Sequence, residues 1–235
     1  MTGIDSTTNG KGRIYWIGGS KGGVGKSMMS LAVLDYLVER HEKVLLLDCD
    51  TSNPDVWKAH KEHLRAELMD LDDADGWIHL VNVCDSHRDG VVVVNTAARN
   101  NIAVKRYAQT LESSLEELDA KLVALWVINR QRDSLELLQE FVEAMPKAGV
   151  HVVRNGYFGD EHKFELYNIS KIRGSVEANG GKSVTLPDLA DRVADDIYTK
   201  RLPLSVAAKT LPIGNRAELG RWRGEVRKVL AEVLS

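Results

Sequence analysis

The stretch that decides the fold is residues 14–27, which read IYWIGGSKGGVGKS. Residues 14–17 are apolar and aromatic, a pattern typical of a strand that is buried on both faces. Glycines then fill five of the next eight positions, and residues 28–40 carry apolar side chains at helical spacing. The sequence therefore predicts a strand, a glycine-rich loop and a helix in immediate succession.

The glycine-rich loop has the composition of a phosphate-binding loop. Glycines let the backbone approach a phosphate closely, so that successive N–H groups point at its oxygens. The helix that follows adds the positive end of its dipole. In such a loop Lys26 reaches the terminal phosphates and the Ser27 hydroxyl binds Mg²⁺. A glycine-rich turn that binds no ligand is the alternative, and the strand–loop–helix order argues against it.

The rest of the chain alternates between predicted strands and helices. Strands are predicted over residues 44–47, 91–94, 122–128 and 150–153. Helices are predicted over residues 54–69, 75–84, 113–119, 134–145, 186–200 and 217–234. This alternation predicts an α/β fold with a doubly wound, mostly parallel sheet covered by helices on both faces. We expect a flexible tail over residues 1–12 and a single domain over residues 13–235, in which residues 155–184 show no clear pattern.

Composition narrows the class of protein. The chain is 43% hydrophobic and 28% charged, which is ordinary for a globular protein. Its 31 basic and 34 acidic side chains give a net charge of −3, so contact with nucleic acid requires a local basic patch. The longest apolar run, residues 122–128, is far shorter than the about 18 residues of a membrane-spanning helix, and the first residues lack the apolar core of a secretory signal. Cys49 and Cys84 have no metal-binding spacing and form no disulfide framework. From the composition, the short apolar runs and the cysteines together, we predict a cytoplasmic protein.

Two aspartates, Asp48 and Asp50, follow the apolar run of the second predicted strand. Side chains two residues apart in a strand point to the same face. In a parallel sheet the carboxyl ends of the strands border the ligand crevice, so both carboxylates are expected near the phosphate-binding loop. For Asp50 the alternative is a cap on the following helix or an ion pair with Lys26.

Residues 21–27, KGGVGKS, resemble the deviant Walker A box of the ParA/MinD family of ATPases. In that family the first lysine, here Lys21, crosses a dimer interface and touches the phosphates of the nucleotide bound by the other subunit. The resemblance implies a homodimer that forms on ATP binding. It also implies that ATP is held by Gly22, Gly23, Val24, Gly25, Lys26, Ser27 and Met28. Met28 is a departure, because relatives often have a second hydroxyl residue there, although its backbone N–H remains available to the α-phosphate.

The resemblance also assigns roles to the two aspartates. It implies that Asp48 binds Mg²⁺ together with Ser27, and that Asp50 positions the attacking water. Lys21 and Lys26 then complete the implied catalytic set. The implied activity is that of an ATPase, a P-loop hydrolase of nucleoside triphosphates.

The third predicted strand departs from the family. Residues 89–98 resemble its Walker B segment, in which an aspartate follows the apolar run, but this chain has Asn95 there. An amide forms hydrogen bonds and brings no negative charge, so it supports a metal less well than a carboxylate. We therefore expect slow ATP hydrolysis, suited to a switch, and we expect Asn95→Asp to raise it.

Asn155 follows the fifth predicted strand and resembles the family's asparagine that hydrogen-bonds adenine. Its amide offers both a donor and an acceptor, as the edge of adenine requires. The alternative is that Asn155 and Gly156 only form a turn, since Asn-Gly is a strong turn dipeptide.

Members of the family differ in what the ATP-bound dimer holds. The compact length and the missing acid make this chain resemble plasmid-borne ParA-type ATPases of partition, stabilisation or conjugative mobilisation. That resemblance implies nonspecific DNA and a DNA-binding adaptor protein as partners. A MinD-like membrane-positioning ATPase is the alternative, and a small-molecule synthetase of the same fold is less favoured. A metal-cluster carrier is disfavoured because the chain has no Cys-x-x-Cys.

The last predicted helix bears on the choice between DNA and membrane. Between residues 216 and 235, five basic and three acidic side chains flank an apolar stripe that includes Leu219, Trp222 and Leu230. Such a stripe predicts a helix packed on the core, and the alternative is a helix on a membrane surface. With the stripe buried, the arginines of this helix are expected outside as a phosphate-binding patch.

Overall fold

The computed structural model describes residues 12–20, 22–98 and 100–234. It contains one seven-stranded sheet in which all neighbouring strands are parallel. The strands are β1 (Gly12–Gly19), β2 (Val44–Asp48), β3 (Arg65–Leu68), β4 (Val91–Asn95), β5 (Ala120–Ile128), β6 (Gly149–Asn155) and β7 (Ser183–Leu186). Their order across the sheet is β3-β2-β4-β1-β5-β6-β7, which confirms the predicted doubly wound α/β fold.

Helices cover both faces of this sheet. They are α1 (Lys26–Glu39), α2 (Asp55–His60), α3 (Ala74–Asp85), α4 (Asn101–Ser114), α5 (Arg132–Ala144), α6 (Glu165–Asn168), α7 (Lys171–Ala178), α8 (Asp191–Lys200), α9 (Leu204–Thr210) and α10 (Ile213–Val233). Two short 3-10 turns, Gly156–Phe158 and Glu161–Lys163, follow β6. No helix in the described part of the chain is long and apolar enough to cross a bilayer.

Alternate residues of a strand contribute to different cores. In β1, Tyr15 and Ile17 pack with α1, α8, α9 and α10 in the first core, whereas Ile14 and Trp16 pack with α3, α4, α5 and α7 in the second. Every residue of β2 and of β4 is buried, as expected for strands that are covered on both faces. Continuous apolar runs therefore mark these strands in the sequence.

The predicted helix over residues 54–69 is wrong in its second half. Helix α2 ends at His60, and Arg65–Leu68 forms the edge strand β3, which pairs with β2. The side chains of β3 are exposed or half-buried, so the strand has no apolar run by which to recognise it.

Other boundaries also differ from the predictions. Residues 183–186 form β7, and α8 begins only at Asp191. Helix α4 ends at Ser114, so the helix predicted over residues 113–119 meets only its last turn, and α6, α7 and α9 were not predicted. Strand β1 begins at Gly12, the last residue of the predicted tail, while residues 1–11 lie outside the described residues.

The topology decides where the loops meet. Because the strands are parallel, their carboxyl ends lie along one edge of the sheet. The segments that follow β1, β2, β4, β6 and β7 therefore share this edge. It is the edge on which the sequence predicts a ligand crevice.

Candidate functional site

The loop between β1 and α1 depends on glycine at two positions. Gly23 and Gly25 have φ values of 76° and 107°, in the left-handed region that other residues rarely adopt. A β-carbon on Gly25 would also lie 2.4 Å from Nδ2 of Asn155. Gly25 is the N-cap of α1 and has no side chain to cap it, so the first N–H groups of α1 face this loop. This is the backbone geometry that binding of an anion requires.

Lys26 is the first residue of α1 and is only 7% exposed. Burial lowers the pKa of its ammonium group from 10.5 to about 8, and the negative charge of Asp50 partly opposes this shift. The positive end of the helix dipole also disfavours a cation at this position. An anionic ligand such as a phosphate would stabilise the ammonium form.

Asp48, the last residue of β2, is fully buried and accepts hydrogen bonds from three directions. Its Oδ1 accepts from Asn95 Nδ2 at 2.8 Å and from Asp50 N at 3.2 Å, and its Oδ2 accepts from Trp57 N at 2.9 Å. Burial raises the pKa of Asp48, and the hydrogen bond from Asn95 is foremost among the effects that lower it. Trp57 lies in the first turn of α2, whose N-cap is Pro54, so Asp48 caps α2 from the neighbouring strand.

Asn95 links the Asp48 carboxylate to α1. Its Nδ2 donates to Asp48, and its Oδ1 accepts from Ser30 Oγ at 2.8 Å. All three residues are buried. An aspartate at this position would set two carboxylates against each other, and such a pair does not readily ionise twice. The expectation that Asn95→Asp raises hydrolysis takes no account of this contact.

Asp50 is half-buried at the start of the loop after β2. Its Oδ1 accepts from Ser52 Oγ at 2.7 Å and from Asn53 N at 3.3 Å, so the carboxylate stabilises the turn that leads to α2. This agrees in part with the capping alternative. The charge of the same carboxylate partly opposes the lowering of the Lys26 pKa by burial. The role of Asp50 toward water stays a prediction.

Asn155 combines the turn with a contact to the loop. Its Oδ1 accepts from Tyr157 N at 3.1 Å and caps the 3-10 turn, while its Nδ2 donates to Val24 O at 2.9 Å. The turn alternative is therefore observed, together with a bond across the site. A primary amide offers two donors and two acceptor positions, so one of each remains for a ligand. Contact with adenine stays a prediction.

A cavity of about 460 Å³ opens beside Gly23 and Gly25. Its other walls come from α1, the end of β6, the segment after β7, α8 and α10; they include Met28, Asn155, Tyr157, Leu186, Pro187, Asp188, Leu189, Tyr198 and Trp222. Of these other walls, only Met28 and Asn155 are predicted from the sequence to lie near a ligand. Recognition of β7 as a strand would have added residues 186–189, because ligands bind beyond the carboxyl ends of parallel strands.

Lys21 lies outside the described residues. Ser20, which precedes it, is buried and forms hydrogen bonds with the first turns of α4 and α5. The hydroxyl groups of Ser20 and Ser134 are 2.8 Å apart, and Ser134 donates to Asn129 Oδ1 at 2.8 Å. Because Ser134 has one hydroxyl proton, Ser20 must be the donor in their shared bond. The Ser20 carbonyl accepts from Asn101 Nδ2 at 3.5 Å. The residue before Lys21 is thus fastened to the amino-terminal ends of α4 and α5.

Three arginines of α10, the helix expected to carry a phosphate-binding patch, are paired with carboxylates. Arg223 makes two bonds to Asp35 of α1, at 2.7 and 2.8 Å. Two more are paired with carboxylates: Arg227 with Glu39 of α1, and Arg221 with Glu218 and Glu225 of its own helix. Arg221 and Arg227 lie at the surface, as predicted, but both are paired with carboxylates, and Arg223 is largely buried against α1, whose acidic face the sequence of α10 does not show. The apolar stripe is buried in the first core, as predicted.

A glycine-rich loop between a buried parallel strand and a helix, with Lys26 and Ser27 at the helix start, defines a P-loop nucleotide-binding protein. The chain belongs to the CobQ/CobB/MinD/ParA nucleotide-binding domain family, whose model matches residues 15–155. The resemblance to ParA and MinD is thereby confirmed.

Comparison with individual proteins gives one near relative and several distant ones. Protein MobD of Acidithiobacillus ferrooxidans is 67% identical over 221 residues, which are 94% of this chain and 97% of that protein. The MinD cell division protein of Aquifex aeolicus is 16% identical, with a TM-score of 0.54 over 90% of this chain and 95% of that chain. The septum site-determining protein MinD of Pyrococcus horikoshii, complexed with Mg-ADP, is 16% identical, with a TM-score of 0.53 over 93% of this chain and 97% of that chain. At these identities the two MinD structures show the fold.

Proposed function

We propose that this chain binds ATP with Mg²⁺ beside residues 22–28 and acts as an ATP-dependent dimeric switch in plasmid mobilisation. The observation that carries nucleotide binding is the buried Lys26 at the amino end of α1, next to two glycines with positive φ. Mobilisation, rather than partition or stabilisation, is favoured by the identity to Protein MobD along nearly the whole chain.

In this proposal the loop and α1 hold the phosphates. The backbone N–H groups surround the phosphate oxygens; they belong to Gly22, Gly23, Val24, Gly25 and Met28. Lys26 neutralises the charge of the terminal phosphates, and the cavity between Met28 and Trp222 receives the nucleoside. Asn155, which already holds Val24, uses its remaining donor and acceptor toward the base.

Ser27 and Asp48 fit a magnesium ion. Both offer oxygen atoms, which Mg²⁺ prefers, and Mg²⁺ usually takes one or two protein ligands and completes its shell with phosphate and water. No group of three metal-binding side chains occurs within the described ranges, so phosphate oxygens are needed to complete this shell. Bound Mg²⁺ neutralises charge on the phosphates.

Hydrolysis in this proposal is slow. Asp50 orients the water for attack on the γ-phosphate, and Lys21 of the other subunit completes the site. Asn95 contributes an amide where the family has an acid, so the site has one fewer negative charge to hold the metal. A long-lived ATP-bound dimer then engages nonspecific DNA or a DNA-bound adaptor protein.

Lys26→Met tests the nucleotide site, because it removes the cation and keeps much of the side-chain volume. We expect the affinity for ATP with Mg²⁺, measured by calorimetry, to fall about 10- to 100-fold through loss of charge-assisted hydrogen bonds to phosphate. The ligand-free variant should remain as stable as the parent, because burial already disfavours the Lys26 cation.

Lys43→Met is the matched control, since Lys43 is exposed, pairs with Asp89 at 2.7 Å and precedes β2 at the opposite edge of the sheet. Its affinity for ATP should equal that of the parent. An unchanged affinity in Lys26→Met would show that the loop is not the phosphate site. Retardation of DNA by the protein in a gel, measured with ATP and with ADP, tests the cellular role. If the protein retards DNA equally with either nucleotide, the result would argue against a switch.

A further inference from the structure

Helix α10 forms part of the cavity through Trp222. Trp222 is fully buried and is one of the residues that line the cavity, and its Nε1 donates to Pro187 O at 2.7 Å. Proline has no backbone N–H, so this carbonyl is the only polar backbone group of Pro187. The bond therefore fixes residues 187–189, the cavity wall that follows β7, to α10.

The next residue of α10 contacts α1, the helix that carries Met28 of the cavity wall. Arg223 and Asp35 of α1 form an ion pair of two bonds, and their side chains are only 14% and 7% exposed. Helix α1 begins at the phosphate-binding loop. Two consecutive residues of α10 thus hold the helix that carries the phosphate-binding loop and the wall that follows β7.

The wall also rests on the backbone beside Asn155. A β-carbon on Gly156 would lie 2.6 Å from Leu186 O and 3.0 Å from Asp188 N, so this wall packs directly against Gly156. Residues 187–189 are consequently held between Gly156 on one side and Trp222 on the other. Their position depends on both contacts.

We propose that Trp222 is a positioning residue for the nucleoside part of the ligand, and that its N–H group holds the wall 187–189 where base and ribose bind. The inference rests on the proposed function. In the proposed function the phosphates contact the loop at Gly23 and Gly25, whereas residues 187–189 line the cavity on the segment that follows β7. Loss of the Trp222 bond should therefore weaken binding of ATP and leave binding of a triphosphate without a nucleoside unchanged.

Trp222→Phe keeps an aromatic ring in the core and removes the N–H group. Calorimetry on the full chain with Mg²⁺ compares ATP with inorganic tripolyphosphate. We expect the affinity for ATP to fall about three- to tenfold, the value of one neutral hydrogen bond, while the affinity for tripolyphosphate stays the same. Should tripolyphosphate bind too weakly to measure, the ratio of ATP to GTP affinity replaces it and is expected to fall.

Trp77→Phe is the matched control. Trp77 is also fully buried and its Nε1 donates to Leu71 O at 3.0 Å, but it lies in the second core, on the other face of the sheet. The Trp77→Phe variant should have a lower melting temperature and an unchanged affinity for ATP. Gly156→Ala is a second test variant, because it displaces the same wall from the other side, and it should also weaken ATP selectively.

The outcomes separate this inference from the proposed function. Three results would overturn the inference alone, because each would make Trp222 an ordinary core residue. Trp222→Phe could lower the affinities for ATP and tripolyphosphate equally, or leave the ratio of ATP to GTP affinity unchanged. Trp77→Phe could lower the affinity for ATP as much as Trp222→Phe does. A parent protein that binds neither ATP nor tripolyphosphate would overturn the proposed function, and the inference with it.

Discussion

Asn95 shows how one side chain sets the charge of the site. The resemblance to the family predicts an acid at the end of β4. In this chain the amide of Asn95 stands there, donates to Asp48 and accepts from Ser30. An amide is able to make both bonds at once, whereas a carboxylate only accepts. The replacement therefore provides Asp48 with a hydrogen-bond donor and leaves one carboxylate in the contact.

Asn95→Asp is expected to destabilise the protein at neutral pH by about 1–3 kcal/mol, because two buried carboxylates then share one contact. The pair takes up a proton more readily in the folded state, so its folded pKa lies above its unfolded pKa. Stability relative to the parent is then retained below the unfolded pKa and lost as pH rises through the folded one. Thermal unfolding at about pH 5 and at neutral pH measures this difference.

The double variant Asp48→Asn with Asn95→Asp restores one carboxylate and one amide, and it is the control. It should recover most of the stability lost in Asn95→Asp. An Asn95→Asp protein that is as stable as the parent at neutral pH and hydrolyses ATP faster would instead support the expectation from sequence alone.

Helices α1 and α10 form one unit at the scale of elements. Arg223 and Arg227 of α10 pair with Asp35 and Glu39 of α1, so successive turns of the two helices are joined. Burial raises the pKa of Asp35, and the Arg223 guanidinium is the main influence that lowers it. The basic side chains of α10 thus serve the packing of α10 on α1.

Arg223→Ala is expected to cost about 2–3 kcal/mol and to lower the melting temperature by about 5–10 °C, since it leaves the buried Asp35 carboxylate unpaired. The pKa of Asp35 then rises further above its unfolded value. The deficit should accordingly be largest at neutral pH and shrink as Asp35 is protonated in acid. Arg221→Ala is the control, because Arg221 pairs on an exposed surface, and its melting temperature should not change. Equal melting temperatures for the two variants would contradict a stabilising role for the buried pair.

The strands differ in how clearly their sequences predict them. Strands β2 and β4 are continuous apolar runs and are recognised at once. Strands β3 and β7 have four residues each, with polar side chains among them, and lie at the two edges of the sheet. In β3 no side chain is fully buried, so its sequence carries no apolar signal. In β7 only Val184 and Leu186 are buried, and four alternating residues are too short a run to be distinguished from a loop.

At the scale of the whole molecule, exposed apolar side chains accompany the site. Ile102 is 71% exposed on α4, next to Asn101, which bonds the loop at Ser20. Tyr157 is 64% exposed and lies in the turn that Asn155 caps. Both side chains would lose contact with water if a second copy covered this edge of the sheet. This placement supports the proposed dimer, in which two copies meet at the carboxyl edge of the sheet.

Ile102→Asp is expected to prevent the ATP-dependent dimer while the monomer still binds ATP, because it puts a charge into the proposed interface. Light scattering after size-exclusion chromatography, with ATP and with ADP, measures the oligomeric state. Lys21→Ala should behave in the same way. Ile213→Asp is the control, since Ile213 is 79% exposed at the start of α10, and it should still dimerise. An ATP-dependent dimer of Ile102→Asp would place the interface elsewhere.

The sequence by itself determined the phosphate-binding loop, the parallel fold and the aspartates at the end of β2. These features are local: glycine permits positive φ at Gly23 and Gly25, and apolar runs next to a loop specify buried strands. The order of a strand, a loop and a helix then brings Lys26 to the amino end of α1 without help from distant residues.

Only the tertiary structure decided what the side chains touch. Asn155 bonds Val24 across 131 residues, Arg223 bonds Asp35 across 188, and Asn95 bonds Asp48 across 47. These contacts depend on the order of strands in the sheet and on which helix face meets which, and neither follows from the periodicity of one segment. For that reason the arginines of α10 are predicted from the sequence as a phosphate-binding patch, whereas Arg221, Arg223 and Arg227 are found paired with carboxylates. Trp222 likewise lines the cavity because α10 packs beside Pro187, which the sequence of α10 does not show.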